Sequence, residues 1–316
     1  MTEQPLIAMT GVRVVYAGGV RALDNVTLNI ARGSVVGLVG ESGSGKTTCC
    51  RVLTNLVEPT SGTVTIDGMP LAEITRHDDL AFRRRVQMLL QDAVASLSPR
   101  LSVSALVEEP LRIHGEPLAK GRASISALFR RLGLPADIGN KYPHQISGGQ
   151  ARRVAIARAL VLRPEVIIAD EPTAGLDVSV QGDLLNLLQE LRGAFDLTFL
   201  IVSHNLSVVR RVTERTVVMY LGQIIEEAPT PLLFTAPAHP YTAALLSTNP
   251  SLDPRRRKAR IVLNGEIPSV VNPPSGCRFH TRCFHAQERC RTDVPHLHPA
   301  GEGRQVRCHF PLTAVA

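Results

Sequence analysis

The sequence predicts an α/β fold that carries a helical insertion and ends in a small cysteine-rich extension. Three observations lead there. The apolar run Ser34-Val35-Val36-Gly37-Leu38-Val39 passes through a glycine-rich turn, Gly40-Glu41-Ser42-Gly43-Ser44-Gly45-Lys46-Thr47, into Thr48-Cys49-Cys50-Arg51-Val52-Leu53, which reads as strand, loop and helix. Two more apolar runs end abruptly at polar side chains, one at Asp170-Glu171 and one at His204. Between these features, from Asp92 to about Arg163, the pattern is mainly helical, with breaks at Pro99, Pro110, Gly115, Pro117, Gly133-Leu134-Pro135 and Pro143.

Composition narrows the class. The 316 residues suffice for one large domain and a smaller one, and 44% hydrophobic with 20% charged residues is ordinary for a globular chain. No apolar run approaches the 18 or so residues that would cross a bilayer. Met1-Thr2-Glu3-Gln4-Pro5 lacks the basic segment of a secretory signal. The chain is therefore expected in the cytosol, reaching a membrane only through a partner. Of the net charge of +7, most lies in residues 251–316, which hold 11 Lys and Arg against five Asp and Glu. Such a tail suits nucleic acid, an anionic membrane surface, or simply solvent or a protein partner.

In chain order, Val12-Arg13-Val14-Val15-Tyr16 and Leu23-Asp24-Asn25-Val26-Thr27-Leu28-Asn29-Ile30 alternate apolar and polar and read as antiparallel strands. Tyr16 ends the first; by itself it reads as a half-buried strand tyrosine, with stacking on a base as the alternative. The loop that follows has the spacing G-x-x-x-x-G-K-[ST]. Gly43 and Gly45 let the backbone curl so that its N–H groups face phosphate oxygens. The helix beginning near Gly45 adds unpaired N–H groups and a positive dipole end. Lys46 can place its charge on the β- and γ-phosphates, and the Thr47 hydroxyl can ligate Mg²⁺. A nucleoside-triphosphate site follows, with Gly40 through Thr48 as its candidate ATP contacts.

Next come a turn at Glu58-Pro59-Thr60-Ser61-Gly62, a short strand at Thr63-Val64-Thr65-Ile66-Asp67, and an apolar run from Val86 that ends at Gln91. The helical stretch closes at Tyr142-Pro143, and Ser147-Gly148-Gly149-Gln150 opens a helix through Val161, Ser147 and Gln150 fitting a capping box. The two glycines cost a helix about 1 kcal/mol each relative to alanine; an anion approaching the bare helix end would explain them. After Val166-Ile167-Ile168-Ala169, Asp170 is expected beside the phosphate loop, holding Mg²⁺ through water. Glu171 is placed to orient or deprotonate an attacking water. His204 ends the run Leu197-Thr198-Phe199-Leu200-Ile201-Val202-Ser203, at the strand ends where ligands of open α/β sheets bind, and is expected at the γ-phosphate.

Cys49 and Cys50 fall inside the first helix as small buried residues. Cys277, Cys283, Cys290 and Cys308 have the spacing C-x₅-C-x₆-C-x₁₇-C, neither the C-x₂-C of zinc ribbons nor the ferredoxin run. In a chain read as cytosolic, such a cluster argues for metal rather than disulfides. Four thiolates can hold tetrahedral zinc or a [4Fe–4S] cluster; His280, His285 and His309 lie near enough in sequence to substitute, but read first as surface residues or as groups that hydrogen-bond the ligands.

These motifs together resemble the ATPase subunit of an ATP-binding cassette (ABC) transporter, over nearly the full length and in the family's order. Lys46 and Thr47 match Walker A, Gln91 the Q-loop, and Ser147-Gly148-Gly149-Gln150 the signature motif. Asp170 and Glu171 match Walker B, Ala174-Gly175-Leu176-Asp177 the D-loop, and His204 the switch histidine. The resemblance implies a phosphate-loop NTPase (RecA-like) core with an antiparallel β subdomain and an α-helical subdomain inserted at about 92–163, together spanning 1–235, and an extension over 236–316. It implies that Tyr16 stacks on adenine, that Thr47, Gln91 and Asp170 attend Mg²⁺, and that Glu171 and His204 are the catalytic pair. It also implies a head-to-tail dimer, with each ATP held between Walker A of one subunit and Ser147, Gly148, Gly149, Gln150 and Asp177 of the other.

The tail narrows the subfamily. Ala238-His239-Pro240-Tyr241-Thr242-Ala243-Ala244-Leu245-Leu246, Gly265-Glu266-Ile267-Pro268-Ser269 and Asn272-Pro273-Pro274-Ser275-Gly276-Cys277-Arg278-Phe279-His280 resemble the oligopeptide and dipeptide permease ATPases. In those bacterial importers two ATPases, usually different, pair beneath two transmembrane permease subunits fed by an extracytoplasmic peptide-binding protein. One departure is Thr281-Arg282-Cys283-Phe284, where the family commonly has proline on either side of Arg-Cys. The resemblance favours [4Fe–4S] over Zn²⁺ on the four cysteines, in a structural role. The expected function is thus ATP hydrolysis that powers di- or oligopeptide uptake, at the cytoplasmic face of the inner membrane and without nucleic acid. An importer of nickel or another small solute is the alternative. A soluble ABC ATPase acting on DNA or ribosomes is a third reading, opposed by the single cassette and the lack of a long heptad stretch.

Overall fold

The computed structural model describes residues 4–248 and 260–312. Met1-Thr2-Glu3, part of the segment read for a signal, and the basic run Arg255-Arg256-Arg257-Lys258 lie outside the described residues. The chain opens with β1 (Ile7–Tyr16), β2 (Val20–Ile30), β3 (Val35–Val39), α1 (Lys46–Leu53), β4 (Ser61–Ile66) and β5 (Met69–Pro70). It continues through α2 (Leu71–Arg85), β6 (Val86–Leu89), α3 (Val103–Ile113), α4 (Leu118–Arg131), α5 (Gly148–Leu160), β7 (Val166–Asp170) and α6 (Val178–Phe195). β8 (Thr198–Val202), α7 (Leu206–Val212), β9 (Arg215–Tyr220), β10 (Gln223–Pro229), α8 (Thr230–Thr235) and α9 (Pro240–Ser247) follow. The extension adds α10 (Arg289–Thr292), β11 (His298–Pro299) and β12 (Gln305–Val306). Two compact units result: Met1–Leu71 with Ile201–Ala316, and Ala72–Leu200.

In the first unit β2, β1, β4 and β5 form an antiparallel sheet in that order. The alternation in β1 changes phase, because Ile7 and Met9 are buried and then Val12 and Val14. A register shift between Met9 and Val12, with Gly11 at φ +60°, absorbs the extra residue and keeps both apolar sets on the core face. A second sheet pairs β3 parallel with β9, β9 antiparallel with β10, β10 with β12, and β12 with β11. The β9–β10 turn, Leu221-Gly222, has φ of +43° and +77°, the left-handed pair that matches a hairpin's twist. β3 is buried along its whole length, as its unbroken apolar run requires.

The core beside these strands joins Val39, Val218, Tyr220, Leu221, Ile225, Tyr241 and Phe279. Tyr220, Tyr241 and Phe279 meet with ring centroids 4.7, 5.3 and 5.4 Å apart. Residues of the C-terminal extension are therefore built into this core. His239 lies under the same layer, 1% exposed, and its Nδ1 accepts the Tyr241 N–H at 3.0 Å. Burial drives the imidazole's pKa down to about 3. The unfolded chain takes up a proton near pH 6.5 whereas the folded one does not, so acid favours unfolding. Stability should fall by about 1.4 kcal/mol per pH unit below about pH 6.5 on this account alone. Denaturant unfolding at pH 7 and pH 5 should show a loss about 2 kcal/mol larger in the wild type than in His239→Gln; equal losses would rule the buried histidine out as the cause.

In the second unit β6 pairs parallel with β7, from Val86 opposite Val166 to Leu89 opposite Ala169. Arg85 clamps the start of this pair, its Nε and Nη2 donating to the two Glu165 carboxylate oxygens at 2.6 and 3.2 Å. Helices α3, α4 and α5 pack on one another around Val103, Leu106, Val107, Leu132 and Val154, all essentially buried. Pro110, expected to break a helix, instead lies inside α3. Its missing N–H falls in the last turn, and burial of Leu106, Val107 and Leu111 holds the helix on to Ile113. β8 carries the chain from the second unit back to the first.

Candidate active site

The loop between β3 and α1 is shaped by glycines with no substitute. Gly40 has φ +154°, and a Cβ there would lie 2.3 Å from the Met219 carbonyl oxygen. Gly45 has φ +105°, and a Cβ there would lie 2.5 Å from the Ala22 carbonyl oxygen. Both distances are shorter than any real contact, so only glycine lets the loop close down on β2 and β9. The Ser44 carbonyl then accepts the Gly222 N–H at 2.9 Å. Lys46 lies at the centre of the turn: its ammonium donates to the carbonyls of Gly40 and Glu41, both at 2.8 Å, and to Ser44 Oγ at 3.4 Å. Gly45 is the N-cap of α1 and offers no side chain, so no side-chain cap closes the start of the helix. Thr47 is exposed and Thr48 half-buried on the first turn.

Tyr16 also belongs to the first unit. It ends β1, half-buried, and its hydroxyl has no hydrogen-bond partner among the described residues. His204 is exposed just after β8, ahead of α7, whose N-cap Asn205 accepts the N–H groups of Ser207 and Val208 at 3.0 and 3.4 Å. Ser203 N donates to the Leu38 carbonyl at 3.2 Å, which holds the end of β8 against β3.

The second unit carries the other expected residues. Ser147 caps α5 as the spacing predicts: Ser147 Oγ accepts the Gln150 N–H at 3.2 Å, and the Gln150 side chain accepts the Ser147 N–H at 3.0 Å. A Cβ at Gly148 would meet nothing within 4 Å, so local packing does not require glycine there. Asp170 ends β7 half-buried, and Glu171 follows at 9% exposure with φ +51°, the left-handed region a glutamate seldom adopts. Its carbonyl accepts the Ala174 N–H at 3.1 Å, turning the chain towards Asp177, the exposed N-cap of α6.

Arg152, two residues past the capping box, is the residue linking these segments that reading motifs alone missed. Its guanidinium donates to the carbonyls of Gln91 and Ala174, each at 3.0 Å, and to that of Pro172. One side chain on α5 thereby joins the backbone after β6 to the turn that follows Glu171. Gln91, the helix opening at Ser147 and the acid pair are thus brought together within this unit. The only sequence signal was a second arginine beside Arg153.

Comparison with known proteins settles the family. A model for the ABC transporter family matches residues 23–174, and one for the C-terminal region of oligopeptide/dipeptide transporters matches residues 225–290. A Brucella ovis protein named for peptide import ATP binding is 46% identical over 316 residues, covering 98% of each chain. The dipeptide transport ATP-binding protein DppF of Haemophilus influenzae is 43% identical over 290 residues, 92% of this chain and 89% of that one. The chain belongs to the ABC transporter ATPases of the oligopeptide/dipeptide type. Its fold agrees: the ATP-binding cassette MJ0796, solved as a dimer bound to ADP and Pi, superposes with a TM-score of 0.64 at 32% identity over 71% of this chain and 98% of that one.

In this ABC ATPase the four tail cysteines line one pocket, together with His239, His280, His285 and His309. The Cys277 N–H donates to the Cys290 carbonyl at 2.8 Å, which ties two of the segments together. The expected metal site is nevertheless not preformed. Among the described residues no three His, Cys, Asp or Glu side chains converge closely enough to hold an ion. Burial pushes the Cys283 and Cys308 thiols up to about 11 and about 12, and raises Cys277 as well.

Proposed function

We propose that this chain is the ATP-hydrolysing subunit of an importer that carries di- or oligopeptides across the cytoplasmic membrane. The observation that carries this reading is the loop Gly40–Thr47, closed around Lys46 at the bare N-terminus of α1, in a chain matched end to end by proteins named for peptide import. The roles follow from the chemistry of each group. The loop's N–H groups and Lys46 take the phosphates, and Tyr16 stacks on the base. Thr47, Asp170 and Gln91 would hold Mg²⁺, which neutralises phosphate charge. Glu171 orients and deprotonates water, and His204 contacts the γ-phosphate. Ser147, Gly148, Gly149, Gln150 and Asp177 serve the nucleotide of a second ATPase subunit, whose approach accounts for a glycine at 148 that packing does not demand.

Such a pair would work beneath two transmembrane permease subunits fed by an extracytoplasmic binding protein, with the two ATPases different. Among the described residues no helix is long and apolar enough to cross a membrane, which suits a peripheral place at the inner face. The four cysteines sharing one pocket support a [4Fe–4S] cluster on Cys277, Cys283, Cys290 and Cys308, with zinc as the alternative; either would cross-link the extension.

One preparation tests both levels. The complete transporter, purified anaerobically and placed in vesicles, should hydrolyse ATP faster when binding protein and peptide are supplied together, and should accumulate the peptide. Stimulation by nickel or another small solute and not by peptide would move the cargo to the alternative. The same preparation should contain about four irons per chain with a broad absorption near 400 nm. About one zinc and no colour would replace the cluster by a structural zinc site.

A further inference from the structure

The C-terminal extension reaches the phosphate loop directly. Arg282 donates from Nη1 and Nη2 to the two carboxylate oxygens of Glu41, at 2.8 and 3.2 Å. Its side chain is 8% exposed and that of Glu41 25%, so the pair is largely out of water. A forked guanidinium on a carboxylate is a directional contact that a lysine cannot reproduce. Tyr241 supplies a second hold, its hydroxyl accepting the Glu41 N–H at 2.9 Å. The Glu41 carbonyl in turn accepts from Lys46 Nζ at 2.8 Å and from Ser44 N at 3.2 Å.

Every polar group of Glu41 is thus engaged, those facing the loop by Lys46 and Ser44 and those facing outward by the extension. The ring of Tyr220 stiffens this junction, lying 5.9 Å below the Arg282 guanidinium and edge-on to Phe279. The extension also touches the chain just past Tyr16: the Val270 carbonyl accepts the Arg21 N–H at 3.2 Å at the start of β2, and Val271 packs beside Gly19.

We propose that Arg282 and Tyr241 are positioning residues of the nucleotide site, holding Glu41 so that the phosphate loop keeps the shape in which Lys46 meets phosphate, and that the extension thereby sets affinity for MgATP. The proposal rests on the reading of Gly40–Thr47 as the phosphate-binding loop. Arg282 acts before chemistry: a loop freed from it samples other shapes, and apparent affinity falls in proportion to the fraction still competent. Binding weakens, while turnover at saturating ATP changes little because the bound nucleotide restores the loop.

The test is MgATP titration of the full-length chain by calorimetry, with steady-state hydrolysis in the complete transporter. Arg282→Gln should weaken binding about tenfold and raise KM by the same factor, with kcat within about twofold; the near-isosteric Glu41→Gln should weaken binding by a similar factor. The double variant should bind no worse than either single one, since both remove the same contact. Arg282→Lys should not restore affinity, and Tyr241→Phe should lose less. Wild-type affinity in both single variants, or losses that simply add, would overturn the proposal. Lys46→Ala separates the two levels. If the wild type binds MgATP and Lys46→Ala does not, the loop reading stands whatever Arg282 does; if the wild type fails to bind, that reading falls and takes this one with it.

Discussion

Replacing Glu171 by glutamine should abolish ATP turnover while leaving ATP binding intact. Glu171 follows the last residue of β7 and is 9% exposed, with its backbone held in the left-handed region at φ +51°. A glutamate there costs on the order of 1 kcal/mol, and the turn it makes is fixed by the Ala174 N–H on its carbonyl. Glutamine keeps the size, the backbone and most hydrogen bonds, but cannot accept a proton from water. General-base contributions run to about 10²–10⁴-fold, so kcat should fall by that factor with the dissociation constant for MgATP within about threefold. Single-turnover hydrolysis and equilibrium titration of the same preparation decide it. Turnover within a few-fold of the wild type would remove Glu171 from the mechanism.

Gly45→Ala should collapse the phosphate loop. The new methyl would sit 2.5 Å from the Ala22 carbonyl oxygen, 3.1 Å from Leu23 Cδ2 and 3.2 Å from Met219 Cε. The methionine can swing away, but the carbonyl belongs to the backbone of β2, held on either side where Arg21 and Leu23 pair with β1. At φ +105° an alanine is also strained before any contact is counted. Strain and overpacking of this kind cost about 2–5 kcal/mol together, and a loop forced out of shape by about 2 kcal/mol binds about thirtyfold more weakly. Gly43→Ala is the internal control: φ is +76°, yet a Cβ there meets nothing within 4 Å. It should cost about 1 kcal/mol and bind ATP measurably. Equal losses at the two positions would show that the backbone angle, and not the Ala22 carbonyl, sets the requirement for glycine.

Much of the site was legible because its parts are local in sequence. The strand, loop and helix at 34–53 lie within one run of residues, and the Ser147–Gln150 capping box closes over three positions, so spacing alone defines both. The strand ends at Asp170 and His204 are marked by apolar runs that stop at polar side chains, a pattern burial imposes on any inner strand. Pro110 shows the limit of the same reasoning: a local rule ended the helix, and tertiary burial of Leu106, Val107 and Leu111 carried it on.

The sequence by itself determined the α/β class, the strand, glycine-rich loop and helix around Lys46, the capped helix at Ser147 and the presence of four cysteines in the tail. Tertiary structure decided what those parts touch. Arg282 meets Glu41 across 241 positions and Tyr241 meets the same residue across 200, distances over which no periodicity or motif carries information. Arg152 reaches the carbonyls of Gln91, Pro172 and Ala174, acceptors that every residue possesses and that composition cannot single out. Four cysteines read as a ligand set in the sequence; the fold places all four around one pocket, yet among the described residues no three such side chains converge on a centre. Local chemistry is written in neighbouring residues; which distant groups share a pocket is settled only when the chain folds and excludes water from between them.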